Sequence, residues 1–234
     1  MAQHLPLSFL HVLRAVARGR FTYLLGFMFV SILMLPFLEE SIYGPPVMQL
    51  FYSFMFISAL YAVAEIPWVF RMGTLLFGVA LASHWWMVLT LSPVAVVTGS
   101  LCAIVFFFFI ALSLLFHVFG HERVTGDTIA GAICVFLLIG IIWMLAFQAI
   151  HFFNPKAFNN ITARSFTPGA IVDLAYFSFV TLTTVGYGDI TPISRPVRMF
   201  VVTEAILGQI YLTVLVARLV GLYASVRPSR AGQQ

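Results

Sequence analysis

Six stretches of this sequence are apolar over about the length a helix needs to cross a bilayer, roughly 20 residues. They run over 21–38, 47–66, 74–91, 94–117, 128–153 and 197–222. Hydrocarbon offers no water to backbone polar groups, so each run must close its hydrogen bonds within a helix. Only 9% of the residues are charged and 62% are hydrophobic, where soluble domains carry about 25% charged residues. A water-soluble globule is excluded. A seventh apolar stretch, 170–182, is too short to cross and reads as re-entrant. The expected fold class is an all-α membrane protein with about six transmembrane helices, plus a re-entrant helix and loop. Membrane lipid is the surrounding partner.

The charges give the orientation. The formal net charge is +4, but the basic residues flank apolar runs, so membrane topology explains them and no nucleic-acid partner is expected. With the N-terminus inside, the inner segments hold Arg14, Arg18, Arg20, Arg71, Arg123, Arg227 and Arg230, with Arg218 near the inner end of the last span. The outer segments hold Glu39, Glu40, Lys156, Arg164, Arg195 and Arg198. The bias is positive-inside, with both termini cytoplasmic in a plasma (inner) membrane. Residues 1–20 read either as an interfacial amphipathic helix, with Leu5, Phe9, Leu10, Leu13 and Val16 on one face, or as a plain leader into the first span. The first run ends in Leu38-Glu39-Glu40 without a small-residue cleavage site, which argues against a signal peptide. Cys102 and Cys134 fall inside apolar runs and read as small buried hydrophobes.

Between the last two apolar stretches stands Thr183-Thr184-Val185-Gly186-Tyr187-Gly188-Asp189. It makes neither a good helix nor an ordinary strand. At membrane depth, irregular backbone survives only where it is buried in protein or lines a water-filled path. The segment before it has the marks of a short helix: Pro168 and Gly169 open it, and Asp173 is expected in its first turn, where negative charge suits the dipole. Gly186 and Gly188 reach backbone conformations that other residues resist, which lets successive carbonyls point the same way.

This heptapeptide, between a short helix and a long apolar one, resembles the selectivity filter of potassium channels. The resemblance covers about 128–222, and the compact chain resembles bacterial members. It implies ion sites made by the carbonyls of Thr184, Val185, Gly186 and Tyr187 in the filter that Gly188 completes, with the Thr184 hydroxyl closing the innermost site. Potassium would be the permeant ion, with no other cofactor. Tyr187 would pack outward and hold the loop open. Thr183 and Asp189 would support the filter, Asp189 at its outer mouth. The motif occurs once, so a closed ring of four needs four chains: a homotetramer with its axis along the pore. The implied domains are an N-terminal segment (1–20), a four-helix membrane domain (21–120), a pore domain (121–224) and a short cytosolic tail (225–234).

In the last span, Gly208 falls where the family has a hinge glycine. It reads either as that hinge or as a point of close helix packing. Gln209, Leu212, Thr213, Val216 and Val220 share one face by helical spacing and are expected to line the cavity, with a ring of Val216 or Val220 closing it by dewetting. Arg218 lies off that face and is expected to snorkel to the inner interface. Voltage-gated relatives carry regularly spaced arginines in the fourth span; residues 94–116 hold no Arg or Lys. No conventional voltage sensor is expected, which leaves the first four spans as scaffold, lipid contact or sensor of another signal. No cytosolic ligand-binding domain is expected after the last span.

Ionisable groups inside spans are functional suspects. Glu204 reads as a brace behind the filter, bonded to a pore-helix threonine or to Gln148, or as a gating or proton-sensing group. Glu65 reads as one half of an interfacial pair with an arginine. His84 is expected to be a bonded packing histidine, and His117, His121 and Glu122 a solvated or pH-responsive loop. Asn160-Ile161-Thr162 fits a glycosylation sequon. Two other classes remain. A potassium transporter subunit would carry internal repeats, and such chains hold several degenerate filters. A membrane enzyme would need a nucleophile–base set that His84, His117 and His121 lack.

Overall fold

The computed structural model describes residues 19–39, 44–64, 67–90, 92–120, 125–161 and 167–225. Most of the N-terminal segment, Glu40, Glu65, His121, Glu122, Arg123, Thr162, Arg164, Arg227 and Arg230 lie outside the described residues, and so do the expectations attached to them.

Among the described residues the elements in chain order are α1 (Arg20–Glu39), α2 (Gly44–Ala62), α3 (Pro67–Thr90), α4 (Pro93–Gly120), α5 (Gly126–Phe153), β1 (Phe158–Asn159), α6 (Pro168–Leu182), β2 (Thr191–Pro192) and α7 (Arg195–Ser225). Local chemistry sets several starts. Pro67 and Pro93 each open a helix, where the missing N–H is no loss. The Ser92 hydroxyl accepts from the Ala95 N–H at 3.2 Å and caps α4. Thr125 caps α5 through a reciprocal box: its hydroxyl accepts from Thr128 N–H at 3.1 Å, and its own N–H donates to the Thr128 hydroxyl at 3.4 Å. Asp127 adds negative charge to the first turn of α5.

Four helical segments are long and apolar enough to cross a membrane: Pro67–Thr90, Pro93–Gly120, Gly126–Phe153 and Arg195–Leu222. The chain is a multi-pass α-helical membrane protein. The first two expected spans form helices, but their apolar parts, Phe21–Phe37 and Gln49–Ala62, are shorter than in those four. α2 spends its first turn on Gly44-Pro45-Pro46 and ends at Ala62, four residues before the expected boundary at 66. α3 starts at Pro67, seven residues before the expected boundary at 74, and so takes in Arg71.

Helices α3 and α4 pair closely, α4 packs on α5, and α1 packs on α2, α5 and α6. α6 sits between α5 and α7. One apolar core runs through all of these, from Phe21 to Leu215. At its centre Phe56 stacks on Phe107 with ring centroids 4.8 Å apart. α4 shows how the core is drawn. Ala103, Phe106, Phe107, Ile110 and Leu114 are buried at helical spacing, while Leu101, Val105, Phe108, Leu112 and Phe116 are exposed. In water such an exposed face is a liability; against lipid it costs nothing, and close packing rather than hydrophobic burial holds the helices together. One feature departs from a purely helical expectation. β1 and β2 form a two-stranded antiparallel ladder, Phe158 opposite Pro192 and Asn159 opposite Thr191, which ties together the two ends of the segment holding α6 and the heptapeptide.

Candidate functional site

The heptapeptide hangs from the C-terminal end of α6. Thr167 caps that helix by accepting from Ala170 N–H at 3.5 Å, and Pro168 is its first residue. Asp173 is not in the first turn as expected: the helix does open at Pro168, and counted from there Asp173 falls in the second turn. Leu174, Ser178 and Leu182 bury one side of α6 completely. The helix ends at Leu182, and its last free carbonyls take the N–H groups that follow: Thr184 to Thr181 at 2.9 Å and Val185 to Val180 at 3.0 Å. The Thr183 hydroxyl turns back to the Phe179 carbonyl at 2.7 Å.

Beyond Thr183 the backbone alternates in hand. φ is +59° at Thr184, +56° at Gly186 and +80° at Gly188, while Val185 and Tyr187 between them keep negative values. In a strand, successive carbonyls point to opposite sides. Alternating left- and right-handed residues instead turn successive peptide groups toward a common side, as in the anion-binding nests made by the same device with N–H groups. Glycine supplies two of the three left-handed positions at no steric cost. Thr184 supplies the third, a conformation a β-branched residue rarely adopts. It is held there: the Gln209 side-chain amide of α7 donates to the Thr184 hydroxyl at 3.1 Å.

The outer end of the loop is fastened at Asp189. The Tyr176 hydroxyl of α6 donates to one carboxylate oxygen at 2.6 Å, and the Ile190 N–H donates to the other at 2.9 Å. The Asn160 side-chain amide donates to the Asp189 carbonyl at 2.6 Å. Tyr176 also lies parallel to Tyr187, ring centroids 6.4 Å apart. The hydrogen bond from Tyr176 holds the Asp189 carboxyl below the usual carboxylate range. The resemblance implies that Asp189 supports the loop but gives no partners for it. Asn160, in the sequence only the first residue of a sequon, has its amide engaged with the loop and its own φ at +61°.

Behind the loop, Glu204 of α7 is fully buried. The Ser178 hydroxyl donates to its Oε1 at 2.5 Å and lies 2.9 Å from the Gly140 carbonyl of α5. The expected partners, a pore-helix threonine or Gln148, are replaced by this serine. Glu204 Oε2 is buried without a hydrogen-bond partner among the described residues. One carboxyl therefore joins α6 and α7 at a point where α5 also touches.

Gly208 has a packing reason to be glycine. A Cβ there would collide with the Leu182 carbonyl oxygen and come within 2.9 Å of Leu182 Cδ1, at the end of α6. The residues α7 buries, Val197, Glu204, Gly208, Tyr211 and Leu215, form one narrow stripe. Gln209, Leu212, Thr213, Val216 and Val220 are all exposed in the single chain. Arg218 lies off that face, near the end of α4. Its guanidinium donates to the Phe119 carbonyl at the end of α4 and lies over the Phe119 ring, 5.0 Å from the centroid. His84 is buried, and its Nε2 is 2.6 Å from Gln49 Oε1, a bonded packing histidine. Among the described residues no group of three or more His, Cys, Asp or Glu could hold a metal ion.

Residues 135–224, from within α5 to the end of α7, match a family model described as ion channel. The chain is 30% identical over 95 residues to the protein named Two-pore potassium channel 5 of Arabidopsis thaliana, an alignment covering 41% of this chain and 22% of that protein. It is 29% identical over 85 residues to Two pore potassium channel c of Oryza sativa subsp. japonica, covering 36% of this chain and 19% of that protein. The matched region thus spans about a fifth of the length of these curated relatives. No solved structure matches the chain. The similarities are to ion-channel proteins and not to an enzyme.

Proposed function

We propose that the chain is the subunit of a passive potassium-selective channel. The carbonyls of Thr184, Val185, Gly186 and Tyr187, with the Thr184 hydroxyl innermost, would replace the hydration shell of the permeant ion. The observation that carries this reading is the alternation of φ through Thr184, Gly186 and Gly188, directly after a short helix. The C-terminal end of α6 adds partial negative charge at the inner end of the loop, which favours a cation there.

One heptapeptide per chain makes a ring of four loops a homotetramer. The wide exposed surface of α7 supports this, since a single chain covers only its narrow stripe. In that ring Gln209, Leu212, Thr213, Val216 and Val220 face the water-filled path, Val216 or Val220 closes it, and Gly208 combines close packing on α6 with a place to bend. Asp189, Thr183 and Glu204 brace the loop. α1 and α2 complete six spans, since helices of 20 and 19 residues reach roughly 30 Å. Both termini face the cytoplasm. α4 carries no Lys or Arg, and each charge moved through 100 mV is worth about 2.3 kcal/mol, so voltage is not the stimulus proposed.

Purified protein in potassium-loaded liposomes, read by a proton-coupled dye, tests the proposal against sodium-loaded controls and the Gly186→Asp variant. Potassium flux that is absent in sodium and lost in the variant supports it. Equal potassium and sodium flux through intact oligomers refutes selectivity.

A further inference from the structure

Away from the loop, a cavity of about 200 Å³ lies where five helices meet: α2, α3, α4, α5 and the start of α6 at Ile171. Its wall is aromatic on one side, where Tyr52, Phe56, His84 and Phe107 come together, with the Tyr52 and Phe56 rings 5.8 and 5.9 Å from that of His84. Three of the residues around it bury a polar atom that has no hydrogen-bond partner among the described residues: the Tyr52 hydroxyl, the Ser100 hydroxyl and the Gln148 amide nitrogen. Ser100 and Gln148 are 3% and 2% exposed. A buried polar atom left unbonded costs about 1–3 kcal/mol, so three around one cavity call for a bonding occupant. Among the described residues no Asp, Glu, Lys or Arg lines the space, and an ion would enter it uncompensated.

Size narrows the occupant further. A dry cavity of roughly 150 Å³ already holds benzene. The volume here suits one ring with a short polar arm and is far too small for a two-chain lipid. We propose that this cavity is a binding site for an uncharged, ring-sized amphiphile carrying a hydroxyl or amide group. The ring packs on Phe56 and Phe107, and the polar arm takes hydrogen bonds from Ser100, Gln148 or Tyr52 after small side-chain rotations. This site is separate from the ion path and does not depend on the chain being a channel.

The probe is 4-fluorobenzyl alcohol, titrated into the full-length protein in lipid nanodiscs and followed by fluorine NMR, with empty nanodiscs subtracting simple partition. Wild-type protein should show a saturable component. Ala103→Phe, which fills the cavity from α4, should weaken it at least tenfold. Ala103 is buried, so this variant can fail to fold; Gln148→Leu, similar in size, is the second, and should weaken binding roughly three- to tenfold, the worth of a hydrogen bond. 4-Fluorotoluene, which lacks the hydroxyl, should bind wild-type protein weaker by a similar factor. No saturable binding, as with a cavity holding only water, overturns the proposal. So does binding that is unchanged in folded Ala103→Phe, or equal affinity for the alcohol and 4-fluorotoluene.

Discussion

The two long helices that flank α6 and the loop, α5 and α7, are both apolar, yet one chain treats them differently. Over its most apolar window 56% of α5 is buried, against 22% for the equivalent window of α7. α5 is covered by α1, α4 and α6. α7 leans on its neighbours along one stripe, and what it leaves open is mixed: Ile206, Ile210 and Val214 are exposed, but so are Thr203, Gln209 and Thr213. The exposed face of α4, by contrast, is all lipid-compatible over Leu101, Val105, Phe108 and Leu112. A helix meant only for lipid has no use for Gln209, whose amide reaches back to Thr184. The difference teaches that α5 is covered by its own chain, whereas α7 leaves a mixed polar and apolar face open, the face that the proposed tetramer would cover and wet.

That contrast can be broken in several ways. The largest effect belongs to the loop. Gly186→Asp places a side chain at φ +56°, where non-glycine residues are strained by about 1–2 kcal/mol, and adds a charge beside the carbonyls. Potassium flux should fall by more than a hundredfold with the helical content intact; flux near wild type would separate the loop from conduction. Next comes the joint behind it. Ser178→Ala removes the hydroxyl bonded to Glu204 and leaves a fully buried carboxyl with no donor from α6. A loss of about 1–3 kcal/mol in unfolding free energy is expected, and Glu204→Gln should lose less, since the amide can still accept from Ser178. Gly208→Ala forces a Cβ against the Leu182 carbonyl; overpacking of this kind costs roughly 1–3 kcal/mol, read as a lower unfolding temperature. Ala substituted at exposed Val216 should leave that temperature unchanged, which sharpens the difference between the stripe and the open face.

The smallest effect is at the outer end. The Tyr176 hydroxyl keeps the Asp189 carboxyl ionised to lower pH than an ordinary carboxylate. A carboxyl whose folded-state pKa is depressed stabilises the fold above its unfolded pKa, and that contribution fades as pH falls through the folded value. Tyr176→Phe should move the Asp189 titration upward, toward the ordinary carboxylate range, as followed by carboxyl carbon NMR. An unchanged titration would mean that the bond contributes nothing in solution.

Much of the scaffold was legible because its signals are local. Pro67, Pro93, Ser92 and Thr125 each start or cap a helix through contacts within one turn, yet the apolar runs alone set the expected starts at 74, 94 and 128. The four long spans declare themselves by length and hydropathy. The short helix ending at Leu182 followed from Pro168 and the apolar run after it. What stayed hidden depends on register between elements. Ser178 and Glu204 are 26 residues apart, and nothing in either segment says that a serine rather than a threonine of α6 faces that carboxyl. Tyr176 and Asn160 meet Asp189 only because α6 and the β1–β2 ladder fold back on the loop. The left-handed Thr184 runs against the preference of its own residue type, so only its bond to Gln209 and its place in the alternation account for it. The packing role of Gly208 was open in the sequence because a glycine in a helix looks the same whether the helix bends there or a carbonyl approaches it.

The most direct test is to place the ion. Crystals of the full-length protein grown with thallium, a potassium mimic with strong anomalous scattering, should show peaks on a four-fold axis, ringed by the carbonyls of Thr184, Val185, Gly186 and Tyr187 from four chains. A well-ordered loop with no thallium on the axis, or an assembly that brings no loops together, would contradict the proposed filter.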